Sequence, residues 1–181
     1  YWFMATIYTL GHSTRDLADF SRVLQTHSIR LLEDIRAFPM SRRYPHFNRE
    51  NLEMWLPEIG SEYVWEKDLG GRRTKQMPLD QSPNVALRNP AFRNYADYML
   101  SAKFRAAIER LVDRSEKANT AIMCAEYVYF RCHRMLVSDY LLSQGHTVYH
   151  ILDEQPTTLH KLSADARIID GQLIYRGDYL L

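Results

Sequence analysis

Short apolar runs alternate with helix-periodic stretches along almost the whole chain, and that alternation constrains the fold more than any other feature. Thr6-Ile7-Tyr8-Thr9-Leu10 is β-branched and aromatic and stops at Gly11. Leu17, Phe20, Val23 and Leu24 then recur at helical spacing, behind Ser13 as N-cap with Asp16 three residues on. Leu31 to Ile35 reads as a second strand, Arg49 to Ile59 as a helix and Tyr63-Val64-Trp65 as a third strand. Helical period returns over Phe92 to Leu100 and over Phe104, Ile108, Leu111 and Val112. Thr120 to Cys124 is a buried-strand pattern, followed by a helix from about His133 to Gln144 with Gly145 as its C′ residue. Thr147 to Leu152 is another strand, and Arg167 to Tyr175 alternates about the hairpin dipeptide Asp170-Gly171. Strands separated by helices predict an α/β fold: three layers with a mainly parallel central sheet, plus a small C-terminal hairpin.

Composition narrows the class. A chain of 181 residues with 46% apolar and 25% charged residues fits one globular domain and excludes disordered or fibrous classes. The domain is taken as residues 4–181, with Tyr1-Trp2-Phe3 ahead of Met4 read as a remnant outside the fold. Twenty-three Lys+Arg against 22 Asp+Glu leave a net charge of +1, so any anionic partner must be held by a local cluster. Two cysteines make no disulfide framework and fit a reduced, cytoplasmic protein. No apolar run approaches the roughly 18 residues of a membrane span, so no membrane partner is expected.

A parallel sheet has a functional consequence, because ligands bind beyond the carboxyl ends of its strands. Three polar groups fall there: Gly11-His12-Ser13-Thr14, the Asp34 to Arg36 segment, and Cys124-Ala125-Glu126. The segment from Glu66 to Pro90, rich in Gly, Pro, Asp, Asn and Arg, is too long for an ordinary connection and reads as functional or locally mobile.

Several of these residues recur together in one known order. Gly11-His12-Ser13, Asp34-Ile35-Arg36, Ser41-Arg42-Arg43, Phe47-Asn48, Leu69-Gly70-Gly71, Tyr95-Ala96-Asp97-Tyr98-Met99, Cys124-Ala125-Glu126 and Cys132-His133-Arg134 resemble the bacterial and archaeal family called domain of unknown function 488. The resemblance runs from about Met4 to Tyr175, including His160-Lys161-Leu162 and the Gly171 hairpin. It implies an α/β fold with Cys124 ending a central strand and Cys132 opening the next helix, and it implies no reaction. Ile35 stands where the family usually has Val, and Met40 is a second departure. The linker Tyr127-Val128-Tyr129-Phe130-Arg131 resembles the aromatic-linker branch of the family.

The residues themselves point to thiol and anion chemistry. A cysteine at a helix N-terminus meets orphan N–H groups and the helix dipole, and Arg131 and Arg134 add positive charge around Cys132. His133 beside it exchanges protons near neutral pH. Cys132 is therefore a candidate nucleophile, with a buried inert thiol as the alternative. Cys124 ends an apolar strand, a position that suits a core residue as well as a second site thiol. Its strand-Cys-loop-Arg-helix layout resembles rhodanese-like and cysteine phosphatase sites, although bulky Tyr127, Val128, Tyr129 and Phe130 replace the glycines of such loops. Cys132-His133-Arg134 also matches the acceptor tripeptide of DNA alkyltransferases, with Arg131 in place of Pro. A spacing of 8 between the cysteines departs from the close pairs of structural zinc sites, so no metal and no cofactor is assigned.

The candidate catalytic residues are Cys132, His133, Glu126, Cys124 and His12; the candidate binding residues are Ser13, Arg36, Arg42, Arg43, Arg134 and Phe47. The basic loops, with Arg72, Arg73, Lys75, Arg88 and Arg93, carry aromatic neighbours suited to phosphates and bases. The leading reading is an enzyme acting on a phosphate-bearing, nucleotide or nucleic-acid substrate. A non-catalytic module for nucleic acid or a small anion is the alternative, and a thiol redox or metal sensor is a third. Three geometric expectations follow: Cys124 meets Cys132, Arg36 pairs with Glu126, and the helix N-terminus with Arg134, Arg42 and Arg43 forms an anion site.

Overall fold

A computed structural model describes residues 3–178; Tyr1 and Trp2 of the leading tripeptide lie outside the described residues, as do residues 179–181. Five strands run parallel: β1 (Thr6–Gly11), β2 (Leu31–Asp34), β3 (Glu62–Trp65), β4 (Thr120–Cys124) and β5 (Thr147–His150). A two-residue strand, β6 (Thr158–Leu159), adds antiparallel to β5, and the order is β3-β2-β4-β1-β5-β6. The tail forms the expected hairpin from β7 (Ala166–Ile169) and β8 (Gln172–Tyr175), turning through Asp170 and Gly171, both at positive φ.

Helices cover both faces. α1 (Leu17–Thr26) and α2 (Arg49–Trp55) pack on one side through Phe20, Leu24, Leu52 and Trp55. α3 (Pro90–Tyr98), α4 (Ala102–Lys117) and α5 (Arg134–Ser143) pack on the other with the hairpin, through Tyr95, Phe104, Leu111, Leu136 and Tyr175. β4 lies between the layers and is buried at every position, alternating Ala121 and Met123 toward one cluster with Ile122 toward the other. The expected mixed, mainly parallel α/β architecture with a separate hairpin is therefore the observed one.

Local differences have physical causes. Asp16, not Ser13, caps α1, its carboxylate accepting from the Asp19 N–H at 2.7 Å. Ser13 sits at φ 51° with its N–H donated to the Ala125 carbonyl, tying β1 to the segment after β4. The weak edge strand β6 has only two paired residues, too few for a period-2 signal. Apart from a 3-10 turn at Lys67–Leu69, the long segment before α3 has no helix or strand, and it is fastened by side chains. Arg73 bonds the Gly70 and Lys67 carbonyls, and Asp97 receives Ser82 Oγ and Asn84 Nδ2.

The connections place α1 and α2, which follow β1 and β2, on one face, and α4 and α5, which flank β4, on the other. Chain direction thus diverges between the adjacent ends of β1 and β4, the switch point where open α/β sheets form a crevice. Gly11 lies on that line, and a Cβ there would stand 1.7 Å from the Glu126 carbonyl oxygen. Glycine at this position lets the segment after β4 cross the end of β1.

One buried carboxyl on the α4 side yields a stability test. Glu33 is fully buried; burial pushes its carboxyl up to about 7, opposed by Arg114 and reinforced by Glu66. Its Oε1 receives Arg114 at 3.1 Å, while Oε2 has no hydrogen-bond partner among the described residues. Native Glu33 thus keeps a proton that the unfolded chain releases above its ordinary value of 4.5, so Glu33 makes stability fall as pH rises from 4.5 to about 7. The penalty above that window is on the order of 1–3 kcal/mol. Glu33→Gln is expected to match the wild type in urea unfolding at pH 4.5 and to exceed it at pH 8. An equal difference at the two pH values would refute the buried-acid assignment.

Candidate functional site

The crevice at the switch point is a cleft of about 840 Å³. Its floor is made by strand ends: His12 and Ser13 follow β1, Arg36 follows β2, and Cys124 closes β4. The segment from Ala125 to His133 forms one wall, and Phe38 to Tyr44 with Gly71 and Arg72 forms the other. Arg43, Arg72 and Arg131 are exposed around the mouth and engage in no ion pair among the described residues. Arg43 lies over the Tyr44 ring and Arg72 over Phe38, so cations and aromatic faces share the rim.

Two sulfurs meet at the floor. Cys124 Sγ and Cys132 Sγ stand 2.8 Å apart, both residues buried at 4% and 8% exposure, and both cysteines are free. The approach follows from the βα connection: a 3-10 turn at Tyr129–Arg131 shortens the linker and leaves Cys132 extended, two residues ahead of α5. Arg134 N–H points at Cys132 Sγ at 3.3 Å, and Arg134 Nε donates to Cys124 Sγ at 3.0 Å. His133 Nδ1 is 3.6 Å from Cys132 Sγ, while His133 Nε2 lies 2.9 Å from the Ile35 carbonyl. Since a carbonyl only accepts, Nε2 carries a proton, and Nδ1 is the nitrogen that faces the thiol. A Cβ on Gly71 would come within 2.5 Å of that Nδ1, so this glycine admits the imidazole.

Electrostatics divide the pair. Burial pushes the Cys132 thiol up, but the hydrogen bonds from Cys124 and His133 and the charges of His133 and Arg134 outweigh it, leaving Cys132 well below the usual thiol range. Burial together with the adjoining Cys132 holds Cys124 well above it. These opposite directions make Cys132 the better of the two sulfurs to hold a negative charge and Cys124 the better to keep its proton. Arg134 itself is 1% exposed and has no carboxylate partner among the described residues. Its other contacts are Thr9 Oγ1 and the carbonyls of Glu126 and Tyr127.

The remaining candidates divide between floor and periphery. His12 stacks on Phe47, with ring centroids 4.3 Å apart, and its Nδ1 bonds the Ser13 carbonyl at 2.9 Å. Burial, with Arg36 nearby, lowers His12 to about 4, so it is a neutral ring at neutral pH rather than a cation. The expected Arg36–Glu126 pair does not form. Arg36 is buried against Asp34, with Nη2 to Oδ2 at 2.6 Å, and also donates to the Phe47 carbonyl; Glu126 is an exposed cleft residue without a side-chain partner among the described residues. Two residues apart, Asp34 and Arg36 satisfy one another locally, which removes any need for a partner across the crevice. Arg42 is exposed and outside the cleft lining, whereas Arg43 is in it. Arg93 is taken up by Ser82 and Leu79. No group of three or more His, Cys, Asp and Glu is placed to hold a metal ion among the described residues.

Sequence reasoning missed a buried polar chain behind the thiols. Thr9 Oγ1 meets His150 Nδ1 at 2.7 Å, His150 Nε2 meets His160 Nδ1 at 2.9 Å, and His160 Nε2 meets Asp139 Oδ1 at 2.8 Å. Ser163 and Tyr175 hold the other side of Asp139. Burial is the main cause that lowers His150 to about 3, and Tyr129 stacks flat on its ring at 3.5 Å. Only the His160-Lys161-Leu162 match hinted at this region.

No curated protein and no solved structure matches the chain. The family model described as Domain of unknown function DUF488 matches residues 16–141. That span holds Arg36, Cys124 and the Cys132-His133-Arg134 tripeptide, and it covers more than half of the 181 residues, so the chain belongs to the DUF488 family.

Proposed function

We propose that this protein is a thiol-dependent enzyme acting on a phosphate-bearing substrate, a nucleotide or nucleic acid, with the Cys132 thiolate as nucleophile. One observation carries the reading: Arg134 is a buried cation whose only available counter-charge among the described residues is the sulfur pair. A buried guanidinium without an anion is costly, and a thiolate at the helix N-terminus offsets that cost. His133 holds or returns a proton through Nδ1, oriented by the Ile35 carbonyl as in nucleophile-base-orienter arrangements. Arg43, Arg72 and Arg131 take the phosphate, and Phe38, Tyr44 and Phe92 offer faces for a base. Glu126 at the rim is the carboxylate within reach of a bound ligand.

Iodoacetamide alkylation across pH tests the nucleophile. Cys132 is expected to react at pH 6–7, well below the ordinary thiol midpoint near 8.5, and Cys132→Ser to lose that phase. Arg134→Gln removes the counter-charge and is expected to slow alkylation at pH 6 by at least tenfold, about 1.4 kcal/mol. Two thiols that react only above pH 9 would sink the nucleophile and leave, at most, a binding module.

Salt dependence tests the substrate class. Short single-stranded DNA, RNA and mononucleotides are titrated against the wild type and against Arg43→Ala, Arg72→Ala, Arg131→Ala and Arg42→Ala. Each cleft arginine engaging a phosphate of a single strand accounts for roughly 0.7 of the slope of log K against log salt. The three cleft variants are expected to lose that increment and Arg42→Ala to keep it. Unchanged affinities and slopes throughout would remove phosphate-bearing ligands from the proposal.

A further inference from the structure

We propose that Cys124 is the resolving thiol of Cys132, so that the cleft also houses a dithiol–disulfide couple oxidised by small hydroperoxides. The inference rests on the reading of Cys132 as a thiolate and adds a partner, an oxidant and a product. Its basis is geometric. The sulfurs are 2.8 Å apart, inside van der Waals contact and outside bonding distance, so closing the bond needs less than an ångström of movement. Both are at the floor of a cleft open to solvent, and both are nearly buried. A two-oxygen oxidant is small enough to reach a sulfur so nearly buried at the floor of an open cleft.

The steps balance without further reactants. The Cys132 thiolate attacks one oxygen of hydrogen peroxide; an S–O bond forms, the O–O bond breaks, and hydroxide leaves. The Cys132 sulfenic acid then meets the Cys124 thiol at contact distance. The Cys124 sulfur attacks Cys132 Sγ, the S–O bond breaks, and the departing hydroxide takes the Cys124 proton as water. Two sulfurs have together lost two electrons, and the peroxide has gained them. Arg134, donating to Cys124 Sγ and flanking Cys132, stabilises negative charge on either sulfur during the exchange. After closure it faces no thiolate, so the disulfide form buries an uncompensated cation and is readily reduced.

The test is peroxide titration of the full chain, read by thiol count and non-reducing peptide mass mapping. Wild type is expected to lose both thiols together, to yield one Cys124–Cys132 crosslinked peptide two hydrogens lighter, and to recover both with dithiothreitol or glutathione. Cys124→Ser is expected to stop at a Cys132 sulfenic acid that dimedone traps; wild type traps far less. Should that variant fail to fold, the wild-type crosslink decides alone. Sulfenic or sulfinic acid accumulating on wild-type Cys132 without a crosslink overturns the resolving role, as does a crosslink only between separate molecules. If Cys132 still alkylates at pH 6–7 in that case, only this inference fails. If it neither alkylates nor oxidises, the nucleophile assignment fails with it.

Discussion

A single buried guanidinium organises the site. Arg134 sits in the first turn of α5 with its charge almost out of reach of water, and five of its contacts converge from β1, β4 and the linker between β4 and α5. Its Nη2 binds the Glu126 and Tyr127 carbonyls, which fixes the path of the chain leaving β4. Its Nε and backbone N–H each reach one of the two sulfurs. Hydrogen bonds to carbonyls satisfy the donors but not the charge. Lysine could keep the charge, but a single ammonium cannot span a sulfur, a hydroxyl and two carbonyls in one plane.

The sheet supplies the frame in which that guanidinium works. Because chain direction diverges between β1 and β4, the ends of the two strands stand side by side at the floor of the cleft. Two glycines keep the space usable. Gly11 lets the strand end pass beneath the Glu126 carbonyl, and Gly71 lets the distant loop close on the His133 ring. Tyr95, edge-on to His133 at 5.2 Å, holds the other side of the imidazole and anchors itself on the Leu69 carbonyl. The long irregular segment therefore contributes to a wall of the cleft through Gly71 and Arg72, while Arg73 is spent on the Gly70 and Lys67 carbonyls.

Much of this was legible in the chain, and the boundary of legibility has a physical meaning. Strand and helix periods are local properties, so β1 to β5, α1 to α5 and the Asp170-Gly171 hairpin could be read directly. The meeting of Cys124 and Cys132 was readable because a strand end and the start of the helix that follows it are neighbours in a βα unit with a short connection. Pairing across the crevice was not readable. Arg36 satisfied itself two residues away on Asp34, and a sequence cannot reveal whether a strand-end arginine will find its nearest carboxylate or a remote one. Nor could it assign Arg43 inward and Arg42 outward, since adjacent residues in an irregular loop follow no period.

The polar chain behind the thiols carries this logic one step deeper. Asp139 is an acceptor, so His160 donates to it through Nε2, which leaves His160 Nδ1 facing His150 Nε2. Burial keeps His150 neutral, so its two ring nitrogens, one a donor and one an acceptor, bridge His160 and the Thr9 hydroxyl. Thr9 Oγ1 in turn accepts from Arg134 Nη1. The line therefore starts at a carboxylate on the same helix as Arg134, itself held by Ser163 and by Tyr175 of the hairpin. The hairpin is thus tied to the thiol pair through α5 and one line of hydrogen bonds. A fully satisfied network of this kind rigidifies what it touches, and what it touches at its far end is the guanidinium beside Cys124.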